Sequence, residues 1–554
     1  MNLHNILRHS LIVASIALLA ACGGGGSSEP AGGTGNTPGA QNPPPAAQSF
    51  TLALSTPKAL ILQGTSVTVD ATVTRSAGFD AAIDVAVTGL PTGVSAAIAH
   101  IPAGATTATL TLSAEAAAPH SLPTAANVTG TSGALSAQQG VTVTVRGPAG
   151  ALDTSFGSAG EAVTAVGPTD DYAQAMAVQP DGRIVVAGWG NGALGYAFEV
   201  VRYQRDGALD TTFGTAGKAI TAVGNGAGVA NAIALQADGK ILVAGSVDET
   251  PKGKSFALVR YNADGSVDST FGSAGKVITS FGSQSDEAFA IVVQPDGKIV
   301  LGGHTRSATR GIDFALARYN ADGSVDASFG VNGQVVTPIR GGDSRDSIYA
   351  LALQTIDGEV KIVAAGGEGD FVLTRYHADG SVDFGFAVGE RPDGEFGSVI
   401  GAARGLVIAP DNKIIVVGHV GHDFAVLRLN ANGLADNGFG GSGRVITKVS
   451  ATNWDEAHAV VVQADGRIVV GGWVYAGNSS SGDYVVARYL TDGTLDAGFG
   501  NAGLTITPVA PGTKADEGRA IVLQVDDRLP AVRSLVAGSA NDSNYDFAVT
   551  RYWH

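Results

Sequence analysis

The chain has 554 residues, too many for one ordinary core, so several domains or a repeat array are expected. Glycine occurs 78 times, charged residues make up only 15%, and helix-favouring heptads are absent; short Val/Ile/Leu/Ala runs broken by Asp-Gly and Gly-Gly point instead to an all-β protein. The formal net charge of −16 argues against nucleic acid and anionic lipid surfaces as partners, since an acidic protein repels both.

Residues 1–21 read as a signal peptide. Arg8 precedes the apolar run "LIVASIALLAA", which is too short to span a bilayer and has the anatomy of a secretory signal. Cys22 follows at once and is the only cysteine, so no disulfide can form within the chain and the fold must stand on its core. The ending Leu19-Ala20-Ala21-Cys22 resembles the bacterial lipoprotein box. The resemblance implies cleavage before Cys22, thioether lipidation of Cys22 and acylation of the new amino terminus. Acyl chains anchor durably in a lipid membrane, at about 0.8 kcal/mol per buried methylene. Gly23 is not the aspartate linked with inner-membrane retention, so the outer membrane is the expected location, with the protein facing the periplasm or the cell surface. Residues 22–48 are rich in Gly, Ser and Pro and read as a flexible, partly extended tether.

Residues 49–147 alternate apolar and polar positions in short bursts, of which "SVTVDATV", "TATLTLSA" and "VTVTV" are the clearest. About a hundred residues of such strands with no helix signal predict a β-sandwich. The segment resembles the immunoglobulin-like modules of bacterial surface proteins, without their Cys…Trp…Cys pattern, so the likeness is architectural. It reads as a spacer, with adhesion as the alternative.

Residues 148–554 repeat themselves. "YNADGSVDSTFGSAGKVIT" begins at Tyr261, and "YNADGSVDASFGVNGQVVT" begins at Tyr319. The core of this line recurs at Asp153, Asp210, Asp268, Asp326, Asp383, Asp436 and Asp496. A second line, "QPDGRIVVAG", starts at Gln179 and returns near Gln236, Gln294 and Gln463. A third, "FALVRY", starts at Phe256 and returns at Phe314 and as "FAVTRY" at Phe547. Seven units of four strand-like runs, joined by Asp-Gly turns, predict a seven-bladed β-propeller. The pattern resembles the delta-60 repeat family of bacterial surface and secreted proteins across 151–554. The fifth unit, with Leu429 for tyrosine and Asn412 for the turn glycine, and the seventh, with a lengthened hairpin, should be the least regular. "EAVTAV" at 161–166 is a lone outer strand that can complete the last blade and close the ring.

The third line also carries an arginine in all seven units: Arg202, Arg260, Arg318, Arg375, Arg428, Arg488 and Arg551. A feature repeated identically around a ring is architecture, and the aspartate column can pair with it. Binding residues should lie where the units differ, in two loop sets on one face. Within the innermost strands one position varies among otherwise constant neighbours: Gln174, Asn231, Phe289, Tyr349, Arg404, His458 and Arg519. This column should lie near the mouth of the central channel and is the candidate ligand site. Just before it stand Asp286, Glu287, Asp455, Glu456, Asp516 and Glu517, with Asp170, Asp171 and Asp346 on other blades. The functional reading of these acids is a negative rim for a cation such as calcium or for a cationic or polar ligand; the alternative is that they cap turns and face solvent, with Arg404 and Arg519 compensating their charge internally. Trp189 and Trp473, at matching positions, suit either a sugar-binding face or packing at the blade rim.

The sequence thus predicts an all-β, lipid-anchored envelope or surface protein, with an immunoglobulin-like sandwich carrying a seven-bladed propeller. Its leading function is binding or adhesion through the variable loop face, as a monomer, toward a protein or glycan ligand. The alternatives are a propeller enzyme (lyase, hydrolase or quinone-type dehydrogenase) and a structural scaffold. No nucleophile–base pair, zinc spacing or nucleotide loop supports an enzyme.

Overall fold

The computed structural model describes residues 47–554, apart from 194, 250, 283–284, 308–310, 340–343, 370, 388–400, 451–453, 476–481, 510–514, 526–531 and 542–543. The signal segment, Cys22 and most of the tether lie outside the described residues. No helix among the described residues is long and apolar enough to cross a membrane. Residues 49–554 form one compact unit.

The first strands build a sandwich of two sheets. One has the order Phe50–Leu54, Ser66–Arg75, Thr107–Ala114, Val94–Ala96. The other has the order Lys58–Leu62, Leu135–Arg146, Thr124–Ser132, Ile83–Thr88, Ala99–Ile101, with a parallel pairing between its first two strands. The strict alternation read in the sequence buries every second side chain: Val69, Ala71 and Val73 from one sheet meet Val128, Val141, Val143 and Val145 from the other in one core. His120, at the end of this module, has its Nδ1 accept from Thr154 N at 3.1 Å and from Trp553 Nε1 at 3.3 Å, which seats the sandwich on the last blade.

The rest is an all-β ring of seven blades. Blade one runs outward through Asp171–Val178, Ile184–Gly192, Gly195–Tyr203 and Lys218–Thr221. Blades two, three, five and six repeat it, with innermost strands Gly228–Leu235, Asp286–Val293, Gly401–Ile408 and Asp455–Val462. Blade four has three described strands, starting with Ile348–Ile356. Blade seven takes Glu517–Val525, Val532–Asn541 and Tyr545–Trp553 from the end of the chain and Glu161–Thr164 from before blade one. That last pairing, Glu161 opposite Thr550 through Thr164 opposite Phe547, closes the ring and leaves no free edge there. Among the described residues blade five keeps the same four-strand order as blade six. Asn412 adopts φ 63° and so does the work of the missing turn glycine, while Leu429 fills the tyrosine's place in the core. Residues 388–400, in the connection that leads to blade five, and much of the lengthened hairpin of blade seven, at 526–531, lie outside the described residues.

Arginine and aspartate pair within every unit. Arg260 Nε donates to Asp268 Oδ2 at 2.8 Å, its guanidinium lies 4.4 Å from the Phe271 ring centre, and Nη1 donates to the Ala321 carbonyl of the next blade at 2.6 Å. Arg202, Arg318, Arg375 and Arg428 repeat this arrangement. In the last blade Arg551 meets Asp153, contributed by the chain before blade one, at 2.8 Å. The column is therefore a stitch between blades.

Candidate functional site

In each innermost strand the pairing with the second strand slips by one residue. The slips fall between Ala173 and Ala175, Ala230 and Ala232, Ala288 and Ala290, Ile348 and Ala350, Ala403 and Gly405, Ala457 and Ala459, and Gly518 and Ala520. The residue left out of the ladder is in turn Gln174, Asn231, Phe289, Tyr349, Arg404, His458 and Arg519. A bulge frees one residue from the strand's alternation and re-aims its side chain. Here all seven line a single cavity of about 260 Å³, to which each blade contributes one residue. All seven are half-buried, while the residue just before each is buried.

The bulge has a sequence cause. Each second strand carries a glycine opposite it: Gly188, Gly245, Gly303, Gly366, Gly418, Gly472 and Gly538. A Cβ at any of them would lie 1.8–2.1 Å from a carbonyl oxygen of the innermost strand. The repeated "AG" and "GG" of the second line thus make room for the bent strand that presents the variable residue.

The wall is chemically divided. Phe289 and Tyr349 form an aromatic quarter with ring centres 5.2 Å apart. The Arg404 guanidinium sits 4.3 Å from the Tyr349 ring centre, and its Nε donates to Glu456 Oε1 at 2.6 Å. Arg519 Nη1 lies 3.3 Å from His458 Nε2, and its Nη2 donates to Glu517. Gln174 and Asn231 complete the ring with amides, and Asn231 Nδ2 also donates to the Ala288 carbonyl of the next blade at 2.9 Å. Burial, with the Arg519 charge, holds His458 down to about 4, so the imidazole is neutral near pH 7 and its Nε2 accepts from Arg519. Burial would raise the Glu456 carboxyl, but His458, His419 and Arg404 hold it far below the usual range; with His458 neutral, Arg404 supplies the charge that does so at pH 7.

None of the six acids expected to form a cation site lines the cavity. Asp286, Asp455 and Asp516 are buried and accept from the backbone of the loop that precedes them: Phe281 N at 2.8 Å, Val449 N at 2.8 Å and Val509 N at 2.9 Å. They are turn caps, though turned inward and not toward solvent. Glu287 pairs with Lys254 at 2.9 Å, Glu456 with Arg404, and Glu517 with Arg519. Among the described residues no group of three or more His, Cys, Asp or Glu is placed to hold a metal ion. Trp189 stacks on Tyr172 at 4.4 Å, and Trp473 is buried against Tyr475 at 4.7 Å; neither lines the cavity. Arg404 and Arg519 thus balance two of the rim acids internally, one of the two outcomes the sequence allowed, although nothing in it singled out Glu456, 52 positions away, as the partner of Arg404.

Comparison with known proteins bears on the fold. Among solved structures, the chain is similar to domains 5–6 of the S-layer protein SbsC, with 13% identity, 42% of this chain and 97% of that chain covered, and a TM-score of 0.15. It is similar to a DUF4784 family protein from Bacteroides caccae, with 11% identity, 82% and 98% covered, and a TM-score of 0.23. It is also similar to a chimeric titin Z1Z2, with 14% identity, 39% and 96% covered, and a TM-score of 0.13. No curated protein matches it. Residues 179–213, 236–271, 294–329, 409–439 and 463–499 each match a beta-propeller domain of unknown function, DUF5122, so DUF5122 beta-propeller repeats recur within 179–499.

Proposed function

We propose that this chain is a non-catalytic binding protein of the bacterial envelope that recognises a ligand in the seven-residue cavity beneath its variable loop face. One observation carries the reading. Seven blades repeat their glycines, arginines and aspartates, yet at the one position the fold turns inward to a common cavity they present six different residue types, with only arginine used twice. A scaffold that needed only to pack would have no reason to vary there. The lipoprotein-box resemblance at Cys22 and the tether of 22–48 support an acylated protein held at the outer membrane. The immunoglobulin-like sandwich then acts as the spacer that carries a delta-60-type propeller away from the lipid.

The test is a small-molecule and glycan array probed with residues 49–554. A ligand that binds the native unit and fails to bind Gln174→Trp, which fills the cavity without altering a charge, supports the reading. Ligands retained in full by Gln174→Trp would move recognition elsewhere.

A further inference from the structure

The cavity wall is rich in hydrogen-bond donors. Among the described residues, the seven that line it include two arginines and no carboxylate. Arg404 and Arg519 stand on blades five and seven, with His458 between them on blade six. Their balancing acids reach them from outside the lining: Glu456 takes Arg404 Nε, and Glu517 takes Arg519 Nη2. A guanidinium has five N–H donors, so each arginine keeps donors beyond these bonds. The two side chains remain 23% and 28% exposed. His458, between the two arginines, has its Nε2 3.3 Å from Arg519 Nη1. On the opposite arc, Gln174 and Asn231 offer amides and Phe289 a ring. About 260 Å³ lies below the ~300–1,000 Å³ of sites for drug-sized molecules, so the occupant is small.

We infer that the ligand is a small cyclic organic carboxylate, with its carboxyl group between Arg404 and Arg519 and its ring against Asn231 and Phe289. The inference rests on the cavity being the recognition site. Planar guanidinium groups match a carboxylate's two oxygens, and charge-assisted bonds of this kind are about twice as strong as neutral ones. The arrangement reverses the expectation of a cation: Glu456 and Glu517 are spent on the arginines, and it is the arginines that line the cavity. The body of the acid has two sources, an aromatic acid or a sugar acid, which the same polar and aromatic arc accommodates.

Isothermal titration of residues 49–554, a compact unit with its own cores, decides it. The probes are benzoate against benzamide, glucuronate against glucose, and inorganic phosphate. The expected result is that benzoate or glucuronate binds at least tenfold more tightly than its neutral counterpart. Arg519→Met and Arg404→Met should each weaken that binding at least tenfold, and Gln174→Trp should abolish it. Whichever acid binds identifies the body. Equal binding of a neutral counterpart, binding of phosphate with neither acid, or no binding of any probe overturns the carboxylate assignment. Neutral binding that is lost in Gln174→Trp overturns only that assignment and leaves the cavity as the site. Binding that survives Gln174→Trp overturns both. Should an arginine variant fail to fold, as its melting curve shows, the neutral counterparts and Gln174→Trp still decide the matter.

Discussion

A Cβ on Gly303 would stand 1.9 Å from the carbonyl oxygen of Glu287, well inside contact distance. This contact joins the repeat to the site, because the bend that brings the Glu287 carbonyl so close is the bulge that turns Phe289 into the cavity. Gly303→Ala should therefore cost about 2–4 kcal/mol, since the obstacle is backbone and cannot rotate away. Urea unfolding measures it; a variant with unchanged midpoint would show that the bulge relaxes freely.

The inter-blade stitch should not tolerate lysine. Arg260 holds Asp268, the Phe271 ring and the Ala321 carbonyl of the next blade at once. Lysine supplies a point charge without the planar fork, so Arg260→Lys should lose roughly 2–3 kcal/mol although the charge is kept. Denaturant midpoints of the two proteins compare directly.

Blade one contains a buried carboxyl pair that makes stability fall with rising pH. Asp171 Oδ2 accepts from Val166 N at 2.6 Å and from Gly167 N at 2.8 Å, and Glu199 lies beside it out of solvent. Burial first, then the Asp171 charge, pushes Glu199 up to about 8, against an ordinary 4.5; Lys218 opposes the shift. The folded state thus holds a proton that the unfolded chain releases. The contribution is fully present below about 4.5 and is lost as pH rises through about 8. Glu199→Gln keeps a donor toward Asp171 and cannot ionise. It should flatten this part of the stability profile, by an amount of order a few kcal/mol between the two ends. A variant with the parent's slope between pH 5 and 8 would place the titration elsewhere.

Anchoring should depend on one atom. Cys22→Ser should release the protein from membranes or leave an unprocessed precursor, as fractionation and the mass of the mature protein would show. A membrane-bound variant with a normal mature start would contradict lipidation at Cys22.

The blades could be read from the sequence because their repeats are written in residues that the backbone demands: a glycine where a carbonyl approaches, an aspartate eight positions after each arginine in six of the seven units, Asp-Gly at the tight turns. The cavity column could be read for the opposite reason, as the position that changed while its neighbours did not. What could not be read was the direction of the acids. Asp455 and Glu456 are adjacent, yet one bonds to the loop behind it and the other reaches Arg404 on the preceding blade. That difference is set by strand alternation and by a partner 52 positions away, and neither is visible in a run of acidic letters.

The central claim is that recognition occurs in the cavity. The most direct measurement is the dissociation constant of one array-identified ligand for three proteins: the native unit, Gln174→Trp in the cavity, and Asn320→Tyr in an exposed hydrogen-bonded turn of the opposite, repeating face. The account predicts native affinity in Asn320→Tyr and a loss of at least a hundredfold, about 2.7 kcal/mol, in Gln174→Trp. Equal affinity in all three, or a loss confined to Asn320→Tyr, would contradict it.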